Sequence, residues 1–282
     1  MVHQTMEKFS FHKYSGHGND FVIIDNWNGP ILDADQSRVS KLLSRPKFGV
    51  GADGVVFIGA GPDEVDFAVR FFNSDGSEAE MCGNAIRCAA HLAHFLNIAP
   101  ANMTFKTKAG VVESTVKERQ VTVLLPKISR PEGAALVEVE GFSQTYFRIN
   151  TGVSHAVAFV DDLESINVAK YGRAVRFHNS FSPEGANVDF VRVVGDNVLD
   201  VRTYERGVEA ETLACGTGAT AASLLAVNQG LVKGDEIICH TRGGEDLTVS
   251  FEGKPDAPTK VFLKGEVRYV FSGQVGPDIF KK

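Results

Sequence analysis

The stretch Val69-Arg70-Phe71-Phe72-Asn73 leads through Glu78-Ala79-Glu80 to Cys82-Gly83-Asn84. A related stretch, Val201-Arg202-Thr203-Tyr204-Glu205, leads through Glu209-Ala210-Glu211 to Cys215-Gly216-Thr217. The two start 132 residues apart and their cysteines stand 133 apart, so a single inserted residue separates the copies. The phase persists outside the motif: Gly18 and Gly152 are 134 apart, as are Thr107-Lys108-Ala109-Gly110 and Thr241-Arg242-Gly243-Gly244. A whole half-chain is duplicated. Two copies of one fold commonly pack about a pseudo-twofold axis, and the expectation is that two equivalent thiols then face one cleft.

Working outward from the motif, short β-branched and aromatic runs recur at residues 21–24, 55–58, 66–72, 121–125, 156–160, 189–194 and 260–263, separated by Gly, Asn and Asp clusters. Two stretches break the strand pattern, residues 84–97 and 218–229. Both are rich in Ala and Leu around the whole circumference, as a buried helix is, and Gly230 follows the second as a C′ residue. A surface helix is read over residues 36–43. The fold class that follows is α+β: two pseudo-symmetric duplicated domains, each a mixed, mostly antiparallel, barrel-like sheet wrapped around a central apolar helix. The first domain is read as residues 1–127 with a returning strand from about 267 to 282, carrying Cys82, and the second as residues 128–266, carrying Cys215. Pro126, Pro131 and Gly133 punctuate a linker over residues 127–133.

The 282 residues, 43% hydrophobic and 23% charged, have ordinary globular composition and room for two domains of about 100–150 residues. Net charge is −6 and the 29 Lys and Arg are scattered, so the basic stripe that a phosphate backbone requires is missing and no nucleic-acid partner is expected. With no apolar run of about 18 residues and no basic-then-apolar leader, neither a membrane partner nor a signal peptide is read, and a cytoplasmic location is expected. Four cysteines in such a chain do not form a disulfide scaffold, and a reducing compartment keeps them as thiols.

Cys82 and Cys215 each stand at the start of a buried helix, where unpaired backbone N–H groups carry about half a positive charge. A free thiol has a pKa of about 8.5, and a helix N-terminus lowers it, making thiolate available as base or nucleophile. The N–H groups of Gly83-Asn84 and Gly216-Thr217 suit a substrate carboxylate. They would also spread the charge that builds on it when the neighbouring Cα loses a proton. One thiolate removing that proton while an opposed thiol delivers another inverts the centre, and the roles swap with direction. No cofactor is demanded: Gly16-His17-Gly18-Asn19-Asp20 runs straight into a strand and lacks the helix of a nucleotide loop. Cys88 and Cys239 read as small buried hydrophobes and His91 and His94 as locally satisfied helix residues, so no metal site is expected. The glycines of 49–54 and 243–244 read as turn residues.

On these residues the chain resembles the diaminopimelate epimerase family over essentially its full length. Asn73-Ser74-Asp75-Gly76-Ser77 followed after four residues by Cys82-Gly83-Asn84-Ala85-Ile86-Arg87 is similar to that family's signature, as are Gly18-Asn19-Asp20-Phe21, Glu205-Arg206-Gly207 and Ala214-Cys215-Gly216-Thr217-Gly218. The resemblance implies a cofactor-independent epimerase interconverting LL- and meso-diaminopimelate in lysine biosynthesis, acting on a small amino acid as a homodimer. It implies Cys82 and Cys215 as the acid/base pair and His155 and Glu205 as residues tuning the thiols. Asn19, Asn73, Gly83, Asn84, Asn187, Glu205, Arg206, Gly216 and Thr217 are implied as substrate contacts. Two departures stand out: Val153-Ser154-His155 replaces the family's usual Asn-Pro-His, and one extra residue lies between Glu205-Arg206-Gly207 and Cys215. Both bear on specificity. The alternatives are a relative of the same fold acting on proline or histidine, and a dithiol redox or metal-binding protein.

Overall fold

The structure, a computed structural model, describes residues 8–29, 31–80, 82–126, 128–139 and 141–280. Lys127, where the sequence reading opens the linker, lies outside them, as do the outermost residues of the first domain. The chain divides into two compact units, Met1–Val123 with Glu266–Lys282, and Leu124–Gly265.

Unit 1 runs β1 (Phe9–Gly16), β2 (Asn19–Asp25), α1 (Asp33–Ser44), β3 (Gly54–Gly59), β4 (Phe67–Asn73), β5 (Glu78–Ala79), α2 (Gly83–Phe95), β6 (Asn102–Thr107), β7 (Gly110–Lys117) and β8 (Gln120–Leu124). Most neighbouring strands are antiparallel, and two pairs, β2–β3 and β4–β6, are parallel. The turn from β1 to β2 is His17-Gly18, at φ 54° and 82°. Positive φ at both central residues is the tight hairpin that matches strand twist, which is why this glycine-rich segment is a corner and not a phosphate loop.

Unit 2 repeats the plan: β9 (Gly133–Val139), β10 (Phe142–Asn150), β11 (Ser154–Phe159), α3 (Val168–Arg176), β12 (Asn187–Gly195), β13 (Val198–Glu205), β14 (Ala210–Thr212), α4 (Gly216–Asn228), β15 (Glu236–Thr241), β16 (Asp246–Lys254) and β17 (Ala257–Glu266). Its parallel pairs, β11–β12 and β13–β15, fall at the equivalent places. The final strand, β18 (Arg268–Val275), pairs antiparallel with β1 in unit 1, as β9 pairs with β10 in unit 2.

Helix α2 touches β1, β2, β3, β4 and β7, and α4 touches β10 to β13, β15 and β16, so each sheet curls about its helix. Ala85, Cys88, Ala89, Ala90 and Leu92 of α2 and Ala221, Ala222, Leu224 and Leu225 of α4 are fully buried. Small side chains let the curled sheet close down on the helix from several sides. Both helices end on a left-handed residue, Asn97 (φ 57°) after α2 and Gly230 (φ 71°) after α4. Asn97 therefore lies past the helix and not within it.

The sequence reading holds three helices, and the described residues add a fourth α-helix. Helix α3 is only nine residues long and carries Gly172 at a point where a Cβ would meet the Tyr204 side chain at 2.4 Å. That glycine weakens the local helix signal while permitting close approach to β13. The start signal was legible: Asn167 caps the helix by accepting from the Lys170 N–H at 3.0 Å, and Val168, Gly172 and Val175 form its buried stripe. Helix α3 is also the counterpart of α1 in the repeat.

Candidate active site

Both thiols occupy the residue before a helix. Cys82 has extended backbone (φ −137°, ψ 118°) and its carbonyl accepts from Ile86 at 3.0 Å; Cys215 matches it (φ −126°, ψ 111°), its carbonyl accepting from Ala219 at 2.9 Å. Both are half-buried, whereas Cys88 and Cys239 are fully buried, and none of the four is in a disulfide. Burial pushes Cys239 up to about 12.

In unit 1 a polar row runs along the mouth of α2. Asn84 donates to the Asn19 carbonyl at 2.7 Å, and Asn19 donates to Asp53 at 3.0 Å. The Arg87 guanidinium, 0% exposed, donates to the Asn84 carbonyl at 2.6 Å and lies 3.2 Å from His17 Nδ1. Gly83 opens the helix itself. Asn73 stands at the end of β4 and spends its side chain on Ser77, at 3.0 Å, inside its own turn.

In unit 2 the row is built differently. Arg206 N–H donates to the Asn187 carbonyl at 2.7 Å, and the Asn187 amide nitrogen lies 3.4 Å from His155 Nε2. His155 Nδ1 is 2.7 Å from Asp189 Oδ2, and Thr203 donates to Asp189 Oδ1 at 2.7 Å. His155 and Asp189 are both 0% exposed. The Arg206 guanidinium turns to the Gly185 carbonyl and to Glu184, each at 3.5 Å. Gly216 opens α4, and Thr217 places its hydroxyl 3.4 Å from Cys215 Sγ while its carbonyl accepts from Thr151 at 3.1 Å.

The electrostatics of Cys215 depart from the sequence expectation. Burial pushes this thiol well up, and the carboxylates of Glu205 and Asp189 push it further. The Thr217 hydroxyl and the Gly218 N–H at the helix mouth pull it down by less. Burial also raises Glu205, Thr212 pulls it back by less, and the Asp189 charge adds to the rise. The half-charge of a helix terminus is thus outweighed by desolvation and two like charges, and the shift at Cys215 is upward.

His91 Nδ1 pairs with the Tyr14 hydroxyl at 3.0 Å and His94 Nδ1 lies 3.3 Å from the Ala99 carbonyl, both satisfied within unit 1. Among the described residues no cluster of three His, Cys, Asp or Glu has the arrangement of a metal site. Asp189, Thr203, Asp53 and Arg87 belong to these polar rows and were not singled out from sequence. For Asp189 the signal was present: it follows Asn187 by two residues in a strand, which puts both on one face, and it is the one acidic residue of that strand.

A family model described as diaminopimelate epimerase matches residues 11–129 and 147–270. The diaminopimelate epimerase of Aquifex aeolicus is 46% identical over 96% of this chain and 99% of its own length, and that of Methanothrix thermoacetophila is 41% identical over 98% and 99%. Among solved structures, a Bacillus anthracis phenazine biosynthesis protein of the PhzF family superposes with TM-score 0.75 over 96% of this chain and 99% of that one. A hydroxyproline epimerase from Agrobacterium vitis superposes with TM-score 0.73 over 95% and 92%. At 15% identity each, these two likenesses carry the fold alone.

Proposed function

The chain belongs to the diaminopimelate epimerase family, and from that premise we propose that it interconverts LL- and meso-diaminopimelate by two-base proton transfer at Cα, in lysine biosynthesis. Cys82 and Cys215 are the acid/base pair: one removes the Cα proton as thiolate and the other returns a proton to the opposite face as thiol. The observation that carries this reading is the matched setting of the two thiols, each half-buried on the residue before a buried helix in an equivalently built unit. An acid and a base of one chemical type suit a reaction that must run in both directions.

The remaining roles follow in the same reading. The first N–H groups of α2 and α4, at Gly83-Asn84 and Gly216-Thr217, bind the reacting carboxylate and hold the charge that develops on it. Asn19, Asn73, Asn187, Glu205 and Arg206 recognise the rest of the substrate, and His155 and Glu205 tune the thiols. The chemistry needs no cofactor, because the carbanion is met by N–H groups and quenched by a thiol. We further place the chain in the cytoplasm, as a homodimer without nucleic-acid or membrane partners. The net charge of −6 supports the absence of a nucleic-acid partner.

The test is proton NMR of LL-diaminopimelate in D₂O with the reduced protein, following loss of the Cα proton and growth of the meso form. Exchange with inversion is expected, and Cys82→Ala or Cys215→Ala should lower it by on the order of 10³-fold. Full turnover in either variant sinks the two-thiol mechanism. Exchange on proline or histidine but not on diaminopimelate moves the substrate assignment to a different amino acid.

A further inference from the structure

Resting on the reading that His155 tunes a reacting thiol, we infer that Asp189 is the positioning residue of His155. It holds the imidazole as the neutral tautomer with its proton on Nδ1 and leaves Nε2 as an acceptor.

The direction of every bond in the row follows from one group that can only donate. Arg206 N–H is a backbone donor, so the Asn187 atom 2.7 Å from it is the carbonyl oxygen. That orients the amide and turns its NH₂ toward His155 Nε2 at 3.4 Å. An NH₂ group only donates, so Nε2 must present its lone pair and the ring proton must sit on Nδ1. Nδ1–H then donates to Asp189 Oδ2 at 2.7 Å, and Thr203 O–H completes the row on Oδ1 at 2.7 Å. An imidazolium would set an Nε2–H against the Asn187 NH₂, donor against donor. The long 3.4 Å contact leaves Nε2 lightly held, as suits a group that must accept a proton in turn.

The fold does not need this row. By strand register Asp189 lies opposite Thr203, as Val56 lies opposite Phe71 in unit 1, and His155 opposite Asn187, as Phe21 lies opposite Gly54. Unit 1 therefore builds the same strands with Phe21, Val56 and Phe71 at 1%, 0% and 8% exposure. Unit 2 also makes room for the carboxylate. A Cβ on Gly218, in the first turn of α4, would lie 2.4 Å from Asp189 Oδ1 and 3.0 Å from Thr203 Oγ1. In unit 1 the matching helix position is Ala85. A buried carboxylate with both oxygens engaged, for which a helix gives up a side chain, serves the imidazole and not the scaffold.

The experiment is long-range ¹H–¹⁵N NMR of protein labelled with ¹⁵N-histidine, with His155 assigned by its loss in His155→Gln. The expected spectrum shows a protonated Nδ1 and an unprotonated Nε2 at neutral pH. Asp189→Asn should lose that preference and lower kcat by on the order of 10²-fold, with KM changed far less. In the His155→Gln background the same substitution should cost nothing further. A wild-type His155 protonated on Nε2 overturns the inference, as does an Asp189→Asn loss of equal size with and without His155. Should Asp189→Asn not fold, Thr203→Val removes one of the two bonds to the carboxylate and is expected to weaken the tautomer preference in the same direction. An unchanged preference in that variant counts against the inference. If the tautomer is as stated but diaminopimelate does not epimerise, the proposed function fails and the positioning of His155 stands.

Discussion

Unit 1 and unit 2 carry the same strands in the same order about the same buried helix, yet the faces they turn toward that helix differ in kind. In unit 1 the three matched strand positions are Phe21, Val56 and Phe71, with Phe21 and Phe71 meeting edge to face at a centroid distance of 5.9 Å. In unit 2 they are His155, Asp189 and Thr203, joined by hydrogen bonds of 2.7 Å. At the helix mouth the polarity reverses. Unit 1 holds the buried Arg87 guanidinium with Asn84 and His17, and unit 2 holds the hydroxyls of Thr151, Thr217 and Thr220. Duplication supplied two equivalent thiol positions, and divergence of a few interior residues gave each a different electrostatic setting. A buried carboxylate raises a nearby thiol, whereas hydrocarbon there contributes no charge.

The sharpest way to break this comparison is to move the charge across. Val56→Asp puts a carboxylate among Phe21 and Phe71 with neither imidazole nor hydroxyl to receive it, and should cost about 3–5 kcal/mol in urea denaturation or prevent folding. A cost under about 1 kcal/mol would show that the unit 1 site is wet and the contrast unreal. Next in size is Gly218→Ala. Alanine favours a helix over glycine by about 1 kcal/mol, but here its Cβ meets Asp189, so a net destabilisation of about 1–3 kcal/mol is expected from overpacking. The unit 1 counterpart, Ala85→Gly, should lose only about 1 kcal/mol, for loss of helix propensity. A stabilised Gly218→Ala would remove the steric half of the case for the row.

The smallest expected effect concerns Glu205, whose carboxyl is raised from the ordinary 4.5 mainly by burial. A carboxyl raised in the folded state binds its proton more tightly there. Its contribution to stability is therefore full below the unfolded value and is lost as pH rises through the folded one. Glu205→Gln removes that loss, so thermal melts should show the variant gaining on wild type as pH rises from about 4 to neutrality. The same variant takes a negative charge away from Cys215 and should speed its alkylation by iodoacetamide at a given pH. Unchanged labelling would mean that Glu205 does not act on that thiol.

Parts of the repeated motif are structural and have no place in the site. Arg70 grips Glu78 through two bonds of 2.8 and 3.1 Å, and Arg202 grips Glu211 through two of 2.7 and 2.9 Å, clamping the short hairpin that leads to each cysteine. The repeated threonines brace turns in the same way, Thr107 to the Gly110 carbonyl and Thr241 to the Glu245 carbonyl. The clamps explain why the arginine and a glutamate recur with the cysteine, and strand register makes Glu211 the counterpart of Glu78, not the Glu209 with which the repeated Glu-Ala-Glu spelling aligns it.

The duplication, the strand runs, both buried helices and the two thiols at their mouths were all legible in the sequence. Each is a local matter of residue spacing, side-chain size or a glycine at a turn. Helix α3 was legible too, through Asn167 and through the repeat, had α1 been carried forward by the offset. The tertiary structure alone decided the electrostatic character of the site. Asp189 reads locally as one charged residue in a strand. It becomes the partner of His155 because β11 and β12 pair in parallel at that register, of Thr203 because β13 lies opposite, and a neighbour of α4 because Gly218 leaves the space. The direction of the shift at Cys215 likewise rests on burial and on carboxylates from other elements. Such effects depend on distance through a low-dielectric interior, which no spacing along the chain encodes.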